Sequence, residues 1–460
     1  MRVKRCNRKI FYLIISPSFK PNVKNLLKSD QNKTTKQLEG TFMGLTAYLD
    51  KKINMLKNMP REKLFIYLTF FGIILRFLLP YVFAFADFNQ TDPKNWEIAG
   101  ELVLDGENPY VISEKERTHM KYLMPALLYL FSAVLVLIER GTGFPFIFSF
   151  FTILLVSDIL TLLTLKRLLQ LYEKNIFLAH AYFLNPLTLL AFWYLQVDLI
   201  VALTIAAFIY YFKKAQMEKA ALAISVGAAL KVFPALFALI FLIRKNALSE
   251  KVKLLLLTIS VPVLSTLPYF LQTPGTVINE LFFSYTRDIY YNRISLLNAL
   301  IIFKSPGSSQ ERAPEGILEI FDYILSPLMY GLIIVTFYLA RKRSVEQQVT
   351  LVILWIYLLF RDLELHHLVY IVPSLVLVYA FLENEKIKEK VKLLFILLAI
   401  LGYASYFVHY KLYRPERISQ EEIFAFLILI TWITNITLLA TIYSTPVEKK
   451  YAIKNAEVKR

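Results

Sequence analysis

The stretch 225-SVGAALKVFPALFALIF-241 decides how this chain folds. Lys231 interrupts an apolar run that otherwise reads as one membrane span. A charged side chain at mid-bilayer costs about 2.5–3.5 kcal/mol on insertion scales, so it needs a partner or a cavity. Three residues on, Pro234 suits the first turn of a helix and not its interior. The run is therefore predicted to break at Lys231 into two arms of about 12 residues, each short for a span. Non-helical backbone at that depth is tolerated only inside protein or beside a water-filled cavity. Lys231 is expected to stand in such a cavity, opening outward.

The rest of the chain agrees with a membrane setting. Of 460 residues, 57% are hydrophobic, and the mean hydropathy is +0.50, beyond the range of soluble domains. Spans read by length and apolarity fall at about 64–85, 144–165, 176–195, 197–212, 252–272, 317–340, 347–361, 366–382, 393–410 and 422–443. Two segments are ambiguous, 122-YLMPALLYLFSAVLVLIE-139 and the Lys231 segment at 219–243.

Charge resolves them, because cytoplasmic loops collect Lys and Arg. With the basic N-terminal tail inside, a spanning 122–139 and a straight 219–243 leave two basic loops outside. These hold Lys166, Arg167 and Lys174, and Lys213, Lys214 and Lys219. If instead 122–139 lies along or re-enters the membrane and 219–243 is a broken hairpin, both loops move inside. They join Lys251, Lys253, Arg341, Lys342, Arg343 and the run 383-ENEKIKEKVK-392. About twelve spans result, counting the two hairpin arms. The net charge of +17 then belongs to inner loops and tails, and no nucleic-acid partner is expected. The single Cys6 excludes an intramolecular disulfide framework. Residues 1–60 read as a cytoplasmic tail without a signal peptide, or else Met43, Met55 or Met59 is the true start.

Several polar residues fall at the outer ends of these spans. Asp87 and Asp92 follow the first span, and Asp198 lies in 185-NPLTLLAFWYLQVDLIVAL-203. Arg287, Asp288, Asn292 and Arg293 lie in 285-YTRDIYYNRISLLN-298, and His366 and His367 in 360-FRDLELHHLVYIVP-373. Cations at Lys231 and Arg287 with carboxylates at Asp92 and Asp198 suit a substrate that carries phosphate and loses a proton elsewhere. Arg and Lys stabilise a departing phosphate oxygen, and a carboxylate can deprotonate a hydroxyl. Blander roles compete. Asp87 and Asp92 could be surface charges of a solvated loop, Asp198 a helix N-cap, and Lys231 a partner that pins the hairpin. The two histidines could be polar helix-end residues. Asp158, Glu139 and Asp362 are given no role.

In this setting 92-DPKNWEIAGELVLDGENPY-110 with 122-YLMPALL-128 resembles the first external loop of the GT-C class of polyprenyl-phosphate-sugar-dependent glycosyltransferases. The resemblance is nearest to the GPI mannosyltransferase I family and its prokaryotic multi-pass, GT87-like relatives. The residues that carry it are Asp92, Trp96, Ala99, Gly106, Pro109, Tyr110, Tyr122 and Pro125. They are followed by Asn185, Pro186 and Asp198, then Lys231, Phe233 and Pro234, then Tyr285, Arg287, Asp288, Asn292 and Ser295. It covers roughly residues 64–305. The GPI enzyme carries an Asp-x-Asp pair in this loop, whereas here Gln90 precedes Asp92. No cofactor is expected, and a divalent metal would need Asp87, one helical turn away, to stand in for the missing acid.

The resemblance implies an all-α integral membrane bundle of about 12 transmembrane helices, with a juxtamembrane helix in the first external loop. The implied organisation is a basic tail at 1–63, a catalytic transmembrane module at 64–305 with external loops 86–143 and 273–316, C-terminal helices at 306–445, and a cytoplasmic tail at 446–460. The implied reaction transfers a sugar, mannose first, from a polyprenyl (dolichyl) phosphate to an extracytoplasmic acceptor hydroxyl with inversion. Asp92 would be the general base, and Lys231 and Arg287 would bind the donor phosphate. Asp87, Asp198, Tyr110, Tyr122, Asp288, Asn292 and His367 would position sugar or acceptor. The expected partners are the lipid-linked donor, a lipid-linked or glycan acceptor, membrane lipid and a small membrane subunit. The active site would face the outside of a prokaryotic plasma membrane or the lumen of the endoplasmic reticulum. A transporter or flippase of anionic or lipid-linked substrates is the competing class, and a non-catalytic scaffold is a third. Transporters often show two related halves; no internal repeat is seen here.

Overall fold

The computed structural model describes residues 59–82, 91–111, 125–243, 247–283, 295–304, 317–360, 363–408 and 418–445. No strand occurs among them. The chain divides into two compact units, residues 1–68 and 69–460. The described part of the first, 59–68, opens helix α1 (Arg61–Val82). The second holds the other helices: α2 (Thr91–Leu104), α3 (Leu127–Thr142), α4 (Phe146–Leu171), α5 (Pro186–Trp193), α6 (Asp198–Lys213), α7 (Met217–Leu230), α8 (Leu248–Gln272), α9 (Leu296–Lys304), α10 (Ile317–Leu339), α11 (Val345–Leu359), α12 (Ile371–Phe381), α13 (Glu385–Phe407) and α14 (Ile418–Tyr443).

Among the described residues, α4, α8 and the Glu422–Tyr443 part of α14 are long and apolar enough to cross a membrane by themselves. The pair Ile176–Phe183 and Pro186–Trp193 makes a fourth if counted as one span, bent by 44°. The bend has a local cause. Asn185 accepts a hydrogen bond from the Leu187 N–H at 2.9 Å and so caps α5, and Pro186 begins that helix without an N–H to give. Outward faces are apolar where a soluble protein would be polar: Leu256, Leu264 and Leu271 of α8 are 59%, 68% and 73% exposed. Such a surface matches hydrocarbon and not water. The chain is an integral membrane protein.

The Lys231 run is broken where the sequence predicts. α7 ends at Leu230, Lys231 is extended (φ −146°, ψ 132°), and a 3-10 turn follows at Phe233–Ala238. In a continuous helix, positions 227 and 234 would be about 10 Å apart. Here a Cβ built on Gly227 would lie 3.3 Å from the Pro234 Cβ, so the chain folds back on itself. That same Cβ would collide with the Thr204 hydroxyl of α6, so only glycine lets these three segments meet.

The direction of α6 and α7 separates the basic loop from the break at Lys231. α6 starts at Asp198 and runs 16 residues, about 24 Å, to Lys213. α7 returns from Met217 to Leu230. The basic loop 213–219 therefore lies at the opposite end from Lys231. At that basic end Lys213 meets Glu346 of α11 at 3.0 Å, and Lys253 of α8 pairs with Glu218 of α7.

Two further charges are fully buried between helices. Arg76 of α1 and Asp158 of α4 form an ion pair at 0% exposure, with Nε donating to Oδ2 at 2.7 Å. The guanidinium also donates to the Gly72 and Phe183 carbonyls, each at 2.8 Å, and stacks on the Phe183 ring at 3.8 Å. Asp158 thus has a structural role that sequence reading did not assign. Breaking a buried pair from one side costs about 3–5 kcal/mol, whereas replacing both partners by apolar groups is often neutral. Arg76→Leu is accordingly expected to lower the unfolding temperature sharply in detergent, and Arg76→Leu with Asp158→Leu to recover most of it. Thermal unfolding of the two purified variants checks this.

The segment after the first span, read as loop, contains helix α2. Thr91, Asp92 and Pro93 form an N-terminal signature for it, with an acid in the first turn. α2 packs along α3, and a Cβ on Gly100 would sit 2.7 Å from the Ser132 backbone, so the small residue sets the close approach. At its other end, Asn108 donates to the Thr273 hydroxyl at 3.0 Å and Tyr110 packs edge-on against Tyr129 and Tyr269.

Candidate active site

The site forms where four chain breaks meet: the α5–α6 turn, the end of α7, the start of α2, and the 3-10 turn Leu365–Tyr370. Asp198 is its centre. It is the first residue of α6 and 0% exposed, and the N-cap position before it is Val197. Its carboxylate is spoken for by tertiary partners. The Tyr370 hydroxyl donates to Oδ1. Lys231 Nζ lies 3.7 Å from Oδ1, His367 Nε2 lies 3.8 Å from Oδ1, and His366 Nε2 lies 3.7 Å from Oδ2. The extended backbone at Lys231 brings the ammonium to this acid, and the Phe233 ring packs on Tyr370 at 4.6 Å.

The two histidines are held differently by one glutamate. Glu364 and His367 form a reciprocal capping box, in which His367 Nδ1 accepts the Glu364 N–H at 3.0 Å. Neutral imidazole carries one proton, so that proton is on Nε2. The Glu364 carboxylate in turn faces His366 Nδ1 at 3.2 Å. His367 Nε2–H therefore points at Lys231 Nζ, 3.1 Å away. An ammonium has donors and no acceptor. Asp198 Oδ1 lies 3.7 and 3.8 Å from these two nitrogens, and the pair presents a positive edge that suits an anionic oxygen.

Across the site stands Asp92, half-buried at the start of α2. The Gln196 amide donates to its Oδ2 at 2.7 Å. Gln196 is 4% exposed and sits two residues before Asp198. Just before Gln196, Leu195 adopts φ 52° and closes α5, its N–H on the Phe192 carbonyl at 3.0 Å and the Gln196 N–H on the Ala191 carbonyl at 3.1 Å.

Asp198, His366 and His367 could by proximity hold a metal ion. Their chemistry argues otherwise. A metal on His367 Nε2 would need the ring proton on Nδ1, where the Glu364 N–H already points. The Lys231 ammonium also occupies the approach to that nitrogen. The trio does not fit a divalent ion.

Of the residues singled out from sequence, Asp92, Asp198, Lys231 and His367 come together. Tyr110 does not join them as a polar group. It is fully buried under α3 and α8, and burial pushes its phenol well above the usual range. Asp87, Tyr122, Tyr285, Arg287, Asp288, Asn292 and Arg293 lie outside the described residues. Ser295 caps α9 by accepting the Asn298 N–H at 3.2 Å. Sequence reading missed Gln196, Glu364 and Tyr370, and gave His366 no function beyond a helix end. The one available signal was 364-ELHH-367, an acid three residues before a histidine at a helix start.

A family model described as glycosyltransferase family 87 matches residues 125–360. The chain belongs to glycosyltransferase family 87. It is a membrane glycosyltransferase, and the GT-C resemblance read from its sequence is borne out. The family 87 match includes Asn185, Asp198, Lys231 and Pro234; it begins after Asp92 and ends before His366. The crystal structure of ArnT from Cupriavidus metallidurans bound to undecaprenyl phosphate is similar with a TM-score of 0.40 and 12% identity, over 81% of this chain and 77% of that one. No curated protein sequence matches the chain.

Proposed function

We propose that this family 87 enzyme transfers a sugar, mannose first, from a polyprenyl-phosphate donor to an acceptor hydroxyl with inversion. The observation that carries the reading is the convergence of Lys231 Nζ and the His367 Nε2–H, 3.1 Å apart beside Asp198. One phosphate oxygen accepts from both. Asp198 and Tyr370 hold the ammonium and imidazole in register. Asp92, on the other side of the Gln196 link, takes the proton of the acceptor hydroxyl. The acceptor oxygen attacks the anomeric carbon, the bond from that carbon to the phosphate oxygen breaks, and the lipid phosphate leaves with the electron pair. Lys231 and His367, with Arg287, offset the charge that develops there.

The same reading puts the site outside. Basic loops favour the cytoplasmic side, and Lys231 lies at the other end of α6 and α7 from the loop 213–219. This supports a cytoplasmic basic tail, an outward-facing site and about twelve crossings counting the Lys231 arms. The acceptor is a lipid-linked or glycan hydroxyl.

The test is release of labelled sugar from a panel of polyprenyl-phosphate sugars by the detergent-solubilised protein with a crude lipid acceptor extract. Turnover of one donor, strongest with mannose and undiminished by EDTA, is expected. Loss of turnover in EDTA, restored by a divalent ion, would overturn the metal-free reading. No turnover of any donor by folded protein would overturn the proposed reaction.

A further inference from the structure

We propose that Gln196 is the positioning residue of Asp92, and that the turn 194–198 registers the proton acceptor against the cation. The kinetic part rests on the function proposed above. The Gln196 amide has its orientation fixed from two sides. Its Nε2 faces Asp92 Oδ2 at 2.7 Å and the Tyr194 carbonyl at 3.4 Å. Both are acceptors, so a flipped amide would set carbonyl against carboxylate. The side chain is 4% exposed, which leaves it little freedom to turn away. Two residues on, the same turn delivers Asp198 to Lys231. Leu195 at φ 52° is the hinge that aims residue 196 toward α2 while α6 begins at 198. One short, buried segment thus sets the separation between Asp92 and Lys231.

The link also holds the base in place, because a hydrogen bond to a charged acceptor is among the stronger ones. Other titratable groups act on Asp92 as well. Asp198 lies near enough for the two carboxylates to repel one another. Lys94, Glu97 and Glu101 share its helix, and the helices packed on α2 carry Glu139, Arg140 and Asp158. These stay in place when residue 196 is changed.

The test uses the full-length protein in nanodiscs. Infrared difference spectra of the parent against Asp92→Asn isolate the Asp92 carboxylate stretch, whose frequency reports its hydrogen bonding. In Gln196→Met, that band is expected to shift as the 2.7 Å bond is lost. With polyprenyl-phosphate mannose as the probe, kcat is expected to fall roughly tenfold or more, with the donor KM within about threefold. Gln196→Leu, of similar bulk and lacking the donor, should do the same. Gln196→Asn keeps a donor on a shorter stem and should fall between. It supplies the readout if the methionine variant does not fold. An unmoved band in folded Gln196→Met and Gln196→Leu overturns the inference. If the band moves but Asp92→Asn retains full turnover, the Gln196 link stands and the general-base role of Asp92 falls.

Discussion

Asp92→Asn is expected to reduce sugar transfer by about two to four orders of magnitude, the usual worth of a general base, while donor affinity stays within about threefold. The substitution keeps the shape of the side chain and one acceptor oxygen for the Gln196 amide, which now donates at 2.7 Å. The start of α2 should therefore hold. What is lost is the capacity to take a proton from the acceptor hydroxyl. Single-turnover transfer with labelled polyprenyl-phosphate mannose, together with direct donor binding, separates the two effects. Retention of more than a tenth of the parent rate would remove Asp92 from the proton step. A protein that only moved lipid-linked substrates would be insensitive to this change.

Lys231 is expected to have an effect as large, but of two kinds. Lys231→Met removes one of the two donors proposed for the phosphate oxygen. A hydrogen bond to a charged group is worth about 1.5–3 kcal/mol, so donor binding should weaken roughly tenfold to a hundredfold. The bond should be worth more still as the phosphate departs. The same variant strips the ammonium from Asp198, which is 0% exposed and 3.7 Å away. An uncompensated buried charge costs about 3–5 kcal/mol, so the unfolding temperature should fall too. Adding Asp198→Asn relieves that charge. The double variant is expected to recover thermal stability while turnover stays lost. Recovery of turnover as well would reduce Lys231 to a structural pin. Arginine should not substitute well, because its planar fork cannot stand as a point charge beside the His367 Nε2–H.

The blander alternatives resolve in instructive ways. Asp198 is not a cap, because its carboxylate faces the tertiary partners Tyr370 and Lys231. Asp92 is no solvated loop charge, because the segment after the first span is helical and its first turn meets Gln196. His367 is a helix-end residue, as its spacing suggests, and is also part of the site. Its second role depends on the capping box, which decides which ring nitrogen carries the proton.

The sequence by itself determined the membrane setting, the helical class and the break at Lys231. Each follows from local rules: apolar length, charge asymmetry, and a proline three residues after a lysine. Most helix positions followed for the same reason. The membrane leaves the backbone no other way to satisfy its hydrogen bonds. Only the tertiary structure decided which polar residues meet. Gln196 reaches Asp92 through a left-handed leucine that no pattern announces. Arg76 finds Asp158 across 82 positions. Glu364 sets the tautomer of His367 through the backbone of a turn that packs against α5 and α6. Polar partners of this kind lie far apart in the chain. Their pairing is fixed by the direction in which each helix breaks, and hydropathy and charge counts do not record that direction.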